Sequence, residues 1–450
     1  MNALRLSLFS LTAALALASC GTTVPAPEAA APEVQAQTAL SAQATAGPGS
    51  LDPAYKTGFG GFGSLNNLAS HVKVLPNGKT LVVYAVNSGT ILDQFIVVRR
   101  YNADGTLDRN FADGVQATLS GAFGGMKAVN PEAIEVTPEG RIFIAATGFN
   151  PTFPFTTERP IIFALTPNGG LDPFFSVQGR FPESASFPLS DGNGNAANPT
   201  SAADLSYDPA TKKLTLGGTI DPSNGRSFFW TLTFNVDQTN IRKENFVKES
   251  GSDLRLDEIE RLPSGETVMA GGIFGAGGLP SAYLARQLDN GLILGKRPVG
   301  IGNGAFVNGL KLDGGKALLA GSAFPTSANS TQGFVARLNL DSLFLDTGFG
   351  VNGVRFISKD VRDLAIAKDH KLIAVGGDGK RIMAARLFPE GQFDTSFGTG
   401  GLSLPLQSIA SDSTEFAIAV DLDAQGRILL GGIVKRPGIN DRNRVARLLP

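Results

Sequence analysis

Residues 72–84 read Val-Lys-Val-Leu-Pro-Asn-Gly-Lys-Thr-Leu-Val-Val-Tyr, and residues 134–146 read Ile-Glu-Val-Thr-Pro-Glu-Gly-Arg-Ile-Phe-Ile-Ala-Ala. Each is an apolar strand, a tight turn and a second apolar strand, which is a hairpin pattern. Proline presets one turn dihedral, and glycine accepts the positive φ that closes it. The same punctuation recurs at Pro263-Ser264-Gly265, Asp313-Gly314-Gly315, Asp369-His370 and Ala424-Gln425-Gly426, and in degenerate form at Pro209-Ala210-Thr211. Seven turns, about 50 to 71 residues apart, predict seven units.

Working outward from the turn, a Gly-Gly or Gly-Ser pair is expected to close the second strand, at Gly217-Gly218, Gly271-Gly272, Gly321-Ser322, Gly376-Gly377 and Gly431-Gly432. Third strands follow at Phe95–Tyr101, Ile161–Leu165, Phe228–Phe234, Tyr283–Leu288, Phe334–Leu338, Ile382–Leu387 and Val445–Leu448. A second turn signal comes next, such as Asn102-Ala103-Asp104-Gly105-Thr106-Leu107-Asp108, and then a short outer strand such as Leu402–Leu406. Four short strands per unit, with no helical period anywhere, predict an all-β, seven-bladed β-propeller of four-stranded blades over residues 49–450. The chain stops at Arg447-Leu448-Leu449-Pro450, where the unit still lacks its fourth strand. The missing piece stands at the other end, as Gly49-Ser50-Leu51-Asp52-Pro53-Ala54-Tyr55 and Gly58-Phe59-Gly60-Gly61. The ring is therefore expected to close by pairing the N-terminal strand into the last blade, which leaves few free sheet edges.

Those best-formed units resemble the bacterial delta-60 repeat family, whose unit runs Pro-Asp-Gly-Lys, Val-x-Gly, Ala-Arg-Leu, then Leu-Asp-x-x-Phe-Gly-x-x-Gly. Ala385-Arg386-Leu387 with Gly391–Gly401 matches it well, as does Ala336-Arg337-Leu338 with Leu345-Asp346-Thr347-Gly348-Phe349-Gly350. Units three and four lack the Leu-Asp-x-x-Phe part, at Asp237–Ile241 and Asp289–Leu294, which puts their fourth strands in doubt. The resemblance implies a surface or secreted protein of largely unassigned function and carries no catalytic residues with it.

Composition narrows the class. The 39 basic and 40 acidic residues give a net charge of −1, so no electrostatic footprint for nucleic acid is present. A single cysteine excludes a disulfide framework or a Cys-rich zinc site. That cysteine ends Leu17-Ala18-Ser19-Cys20-Gly21, behind Arg5 and the apolar run Leu6–Ala18, which is too short to span a bilayer. The segment resembles a bacterial lipobox, with residues 1–19 as signal peptide and Cys20 as the lipidated residue. An ordinary signal cleaved near Ser19 is the alternative. Gly21 in place of aspartate favours the outer membrane or cell surface. Residues 21–50 hold nine alanines and four prolines and no aromatic residue, so 20–48 reads as a lipidated, flexible tether.

Chemistry-bearing residues are few. His71 begins the innermost strand of unit one, and the aligned starts of the other innermost strands bring Glu132, Asp204, Asp257, Glu258, Arg362 and Asp363 to the same rim. Converging carboxylates are oxygen ligands for a hard cation such as Ca²⁺, although strand alternation lets only some point inward. Solvated or mutually paired rim charges are the plainer reading. His370 falls in a turn and is expected in solvent. Arg100, Arg337 and Arg386 precede Asp108, Asp346 and Asp394 by eight or nine residues and predict a repeated structural ion pair. Phe149, Phe153, Phe155, Phe181 and Phe187 lie in or beside long loops of units two and three, as a candidate surface for a glycan or an envelope protein. These readings point to a non-enzymatic, lipid-anchored envelope binding or scaffold protein with no assigned cofactor. The alternative is a carbohydrate-active or metal-dependent enzyme with its acids at the channel mouth.

Overall fold

The computed structural model describes residues 47–450 except 61–65, 88–93, 115, 121–127, 150–157, 177, 182–188, 191–195, 198, 223–224, 276–277, 326–330, 358–359, 407–410 and 438. Cys20 and residues 1–19, expected above to be a signal peptide, lie outside the described residues. Every regular element described is a strand, and seven four-stranded antiparallel sheets form the blades of a β-propeller.

Blade one comprises Asn66–Val74, Thr80–Asn87, Gln94–Tyr101 and Ala117–Ser120; blade two, Ala128–Val136, Ile142–Phe149, Glu158–Leu165 and Arg180–Phe181. Blade three comprises Pro199–Asp208, Lys213–Ile220, Phe228–Asn235 and Gln238–Val247; blade four, Asp253–Arg261, Glu266–Phe274, Ser281–Leu288 and Ile293–Val299. Blade five comprises Ala305–Asp313, Lys316–Ala323, Gln332–Asn339 and Val354–Ile357; blade six, Asp360–Ile366, Leu372–Gly377, Ile382–Leu387 and Leu402–Ser403. Blade seven takes Thr414–Leu422, Ile428–Arg436 and Ile439–Leu448 from the chain's end and Gly58–Gly60 from its beginning. That closure is in register, Gly58 opposite Val445 and Gly60 opposite Asn443, and it is locked by the buried Arg447–Asp52 pair at 2.8 Å.

Second strands are sandwiched between neighbouring blades, so Thr80–Asn87 and Leu372–Gly377 are buried along nearly their whole length and read as continuous apolar runs. Outer strands have one wet face, and Ala117–Ser120 accordingly alternates buried and exposed. Core clusters bridge blades: Phe143 and Phe175 of blade two pack with Trp230 and Phe234 of blade three.

The Leu-Asp-x-x-Phe-Gly segment has a physical explanation. Asp394 accepts hydrogen bonds from Arg386 Nε at 2.8 Å and from the Ser396 backbone N–H at 3.1 Å, which fixes the turn. The guanidinium then lies 4.7 Å above the Phe397 ring. Arg100–Asp108 at 2.6 Å and Arg337–Asp346 at 3.0 Å repeat the pair, and Arg100 Nη1 and Arg337 Nη1 also donate to Pro167 O and Pro389 O of the following blade. The expected ion pair is therefore present in each, and through Arg100 and Arg337 it also fastens one blade to the next. The phenyl ring needs room, which the following blade's turn provides. A Cβ on Gly391, at φ +87°, would lie 2.9 Å from the Phe349 ring.

Two expectations are corrected. Blades three and four do have fourth strands, Gln238–Val247 and Ile293–Val299, and these are the longest of the set. Without the folded Leu-Asp-x-x-Phe-Gly connection, the chain turns straight back and pairs along most of the third strand. Nor do the glycine pairs close the second strands, except at Gly376-Gly377; they lie inside them. They sit opposite a bulge in the first strand, where a Cβ on Gly271, Gly321 or Gly376 would lie 2.0 Å from a first-strand carbonyl oxygen.

Candidate functional site

First strands of successive blades pack side by side around the axis, and Thr414–Leu422 returns onto Asn66–Val74. They enclose a cavity of about 350 Å³, and His71, Glu132, Asp204, Asp257, Glu258, Arg362 and Asp363 all line it. The structure thus brings together every rim residue expected from the repeat. Strand alternation had allowed only some to face inward. The bulge removes that limit: Glu132, Ala203, Asp257, Asn308, Arg362 and Ile418 each stand unpaired between paired neighbours, at the same place in blades two to seven. Two consecutive side chains, Asp257 and Glu258 or Arg362 and Asp363, therefore both reach the cavity.

A second tier escaped sequence reasoning. Lys73, Glu135, Glu260, Lys311 and Asp421 also line the cavity. Lys73 and Glu260 lie two residues beyond His71 and Glu258, so for these two period-two alternation was the signal that would have found them. Eight carboxylates (Glu132, Glu135, Asp204, Asp257, Glu258, Glu260, Asp363 and Asp421) face three cations (Lys73, Lys311 and Arg362).

Most of these groups are committed. The Asp204 carboxylate accepts the Leu205 and Ile259 backbone N–H groups at 2.7 and 3.0 Å, joining blade three to blade four. Asp363 accepts Leu364 and Val420 at 2.7 and 2.8 Å, and Asp421 accepts Leu422 and Val74 at 2.8 and 2.7 Å. Lys73 donates to Glu135 at 3.2 Å and Lys311 to Glu260 at 2.8 Å, again between blades. Asp257 is held by Arg255 at 2.6 Å, and Arg362 pairs with Asp360 at 2.7 Å while its guanidinium stacks 4.3 Å from the Phe416 ring. His71 Nε2 donates to Pro131 O at 3.3 Å.

Glu258 is different: among the described residues its carboxyl makes no hydrogen bond and no ion pair. Burial, with the nearby carboxylates of Asp204, Asp363 and Glu260, raises its pKa well above the ordinary range, and Lys311 only partly offsets them. Burial raises Glu132 to about 8 against a hydrogen bond from Thr147, and raises Asp363 to about 6. His71 moves the other way, to about 4, because burial disfavours its charged form. The imidazole is neutral at neutral pH. Among the described residues, no group of three His, Cys, Asp or Glu converges closely enough to hold a metal ion.

The loop aromatics divide. Phe181 is 1% exposed and packs 5.5 Å from Phe234, so it belongs to the core, and its candidacy as a surface residue is corrected. It pairs as an outer strand, whose inward side chain faces the next blade. Phe149 ends the second strand of blade two and is half-buried, while Phe153, Phe155 and Phe187 lie outside the described residues. His370 is exposed in its turn, as expected, at φ +61°, with Nδ1 2.8 Å from Asp313.

Comparison with known proteins adds the following. Residues 93–111 match a family model described as domain of unknown function (DUF5122) beta-propeller. No curated protein matches the chain. It is similar to a solved protein of unknown function from Dyadobacter fermentans DSM 18053, with a TM-score of 0.47 and 12% identity over 86% of this chain and 96% of that one. It is also similar to prolyl oligopeptidase B from Galerina marginata, with a TM-score of 0.45 and 11% identity over 82% of this chain and 48% of that one. A third is Trypanosoma rangeli sialidase, in complex with the inhibitor DANA, with a TM-score of 0.44 and 12% identity over 85% and 55%. The chain spans about half the length of the last two.

Proposed function

We propose that this chain is a lipid-anchored binding or scaffold protein of the delta-60 repeat type, held in the cell envelope through Cys20, that receives a cationic group at the mouth of its channel. The observation that carries this reading is Glu258. Its neighbours Asp204 and Asp363 are spent on fastening blades, and Asp257 is spent on Arg255, whereas the Glu258 carboxyl makes no hydrogen bond or ion pair among the described residues and Lys311 offsets only part of the repulsion around it. A primary amine or guanidinium would relieve that repulsion through charge-assisted hydrogen bonds.

Thermal unfolding of the full chain in detergent, with spermidine, arginine, Ca²⁺ against EDTA, and neutral glycans, tests it. A ligand bound by the folded state alone stabilises it by about 2.7 kcal/mol at one hundred times its Kd. The expected result is a raised midpoint with the amines that disappears in Glu258→Gln. No shift with either amine overturns the reading.

The enzymatic alternative draws support from one observation, the separation of Glu132 near 8 from Asp363 near 6 in a single cavity. Glycan hydrolysis that is lost in Glu132→Gln would establish it instead.

A further inference from the structure

We propose that the channel mouth takes up its cationic ligand in exchange for a proton carried by Glu258, so that acidification releases the ligand. The exchange rests on the cation site proposed above.

Carboxyls that share one cavity compete for protons, and hydrogen bonding decides where those protons settle. A bond from an N–H group favours the ionised carboxylate. Asp204 of blade three and Asp363 of blade six, both close enough to act on Glu258, each accept two backbone N–H groups. On the strand of Glu258 itself, Asp257 is held by Arg255 and Glu260 by Lys311. The Glu258 carboxyl has no such donor among the described residues. A proton retained by this group therefore settles on Glu258. Burial, followed by the charges of Asp204, Asp363 and Glu260, raises its pKa well above the ordinary range, and Lys311 offsets only part of that.

The other charged groups of the lining are already engaged. Lys311 is bonded to Glu260 at 2.8 Å, Lys73 to Glu135 at 3.2 Å and Arg362 to Asp360 at 2.7 Å. His71 is neutral at neutral pH. Asp421 is fixed by the Leu422 and Val74 N–H groups, and Glu132 accepts a bond from Thr147. An arriving ammonium or guanidinium supplies the counter-charge that these groups withhold. The exchange balances: a cation meets a neutral carboxylic acid, an ion pair remains, and one proton leaves to solvent. While the free carboxyl is protonated, releasing one proton per ligand makes Kd fall about tenfold for each unit rise in pH. Burial raises Asp363 to about 6, so above that pH its own titration adds little to the slope.

Calorimetry on the full chain in detergent, titrated with arginine at pH 6.5 and pH 7.5 in phosphate and in MOPS, tests the exchange. The guanidinium stays charged throughout. The two buffers differ in ionisation enthalpy, so released protons appear as a difference in heat. The expected result is a Kd about tenfold lower at pH 7.5, with a buffer-dependent heat equivalent to about one proton per arginine. The same Kd at both pH values and the same heat in both buffers overturn the exchange and leave the cation site standing. Absence of binding at either pH overturns both. Infrared difference spectra locate the proton. Arginine should remove a protonated-carboxyl C=O band from wild type, and free Glu258→Gln should lack that same band while keeping an unchanged or raised thermal midpoint. Persistence of the band in Glu258→Gln places the proton on another carboxyl and overturns the assignment.

Discussion

Two rings of carboxylates run around this propeller, and the chain treats them in opposite ways. In the outer ring, Asp52, Asp108, Asp346 and Asp394 each face an arginine from the same blade at 2.6–3.0 Å and accept further bonds from turn N–H groups. In the inner ring, Glu132, Asp204, Glu258 and Asp363 crowd a half-buried cavity with too few cations to balance them. Repetition separates the two cases. A pair that recurs in four blades serves the blade, whereas Glu258 occurs in one blade, and Lys311 balances the charges around it only in part. The outer ring accounts for how the blades hold together, and the inner ring is where a ligand would gain most.

The largest expected effect lies in the outer ring. Asp394→Ala leaves Arg386, 7% exposed, without its counter-charge and removes the cap of the turn. Breaking a buried pair from one side costs about 3–5 kcal/mol, so the denaturation midpoint should fall sharply. A loss under about 1 kcal/mol, the worth of a surface pair, would place the outer ring with the solvated charges and dissolve the contrast. Glu258→Gln should act in the opposite direction. It removes a carboxyl whose ionisation burial and its neighbours disfavour and Lys311 offsets only in part, and a gain on the order of 1 kcal/mol is expected in the absence of ligand, the usual sign of a site that gives up stability for binding. A loss of similar size would mean that Glu258 has a structural partner after all.

Much of this arrangement was legible in the residue order, because the unit repeats. Seven turns counted the blades, and the split unit at the two ends located the closure. Aligning the first strands collected all seven rim residues, including His71 and Arg362, although they stand inside those strands and not at their starts, as His71 does in Asn66–Val74 and Glu258 in Asp253–Arg261. What escaped notice depended on backbone geometry that no single residue announces. The bulge that lets Asp257 and Glu258 both face inward is a shift of register, and Gly271, its only trace in the sequence, was taken for a strand end. The Lys311–Glu260 and Lys73–Glu135 bridges join adjacent blades, so neither shows within one unit. The fourth strands of blades three and four were doubted for lack of a motif, although that motif stands in for pairing and shortens the strand. Phe181 was placed on the surface by the length of the loops around it, whereas a two-residue strand folds it inward.

The smallest expected effect separates the rings by pH. Asp108 and Asp394 are held near 2: burial opposes their ionisation, but bonds from Lys79 and Arg100, and from Ser396, Lys371 and Arg386, outweigh it. Groups depressed in the folded state contribute stability above the unfolded value near 4, and that contribution is lost as pH falls from about 4 toward 2. Glu132 and Asp363, raised to about 8 and about 6, behave inversely. The folded state keeps their protons after the unfolded chain has released them, so their contribution is whole below about 4 and is lost as pH rises through 6 to 8. His71, lowered to about 4, works against them, since its contribution is lost as pH falls from about 6.5 toward 4. Comparing wild type with Glu132→Gln cancels the histidine, which both proteins share. The expected outcome is a midpoint that falls more steeply from pH 5 to pH 8 in wild type than in Glu132→Gln, with the two curves declining in parallel below pH 4. Identical slopes between pH 5 and pH 8 would mean that water in the channel solvates Glu132 fully, and the inner ring would then differ from the outer only in lacking arginines.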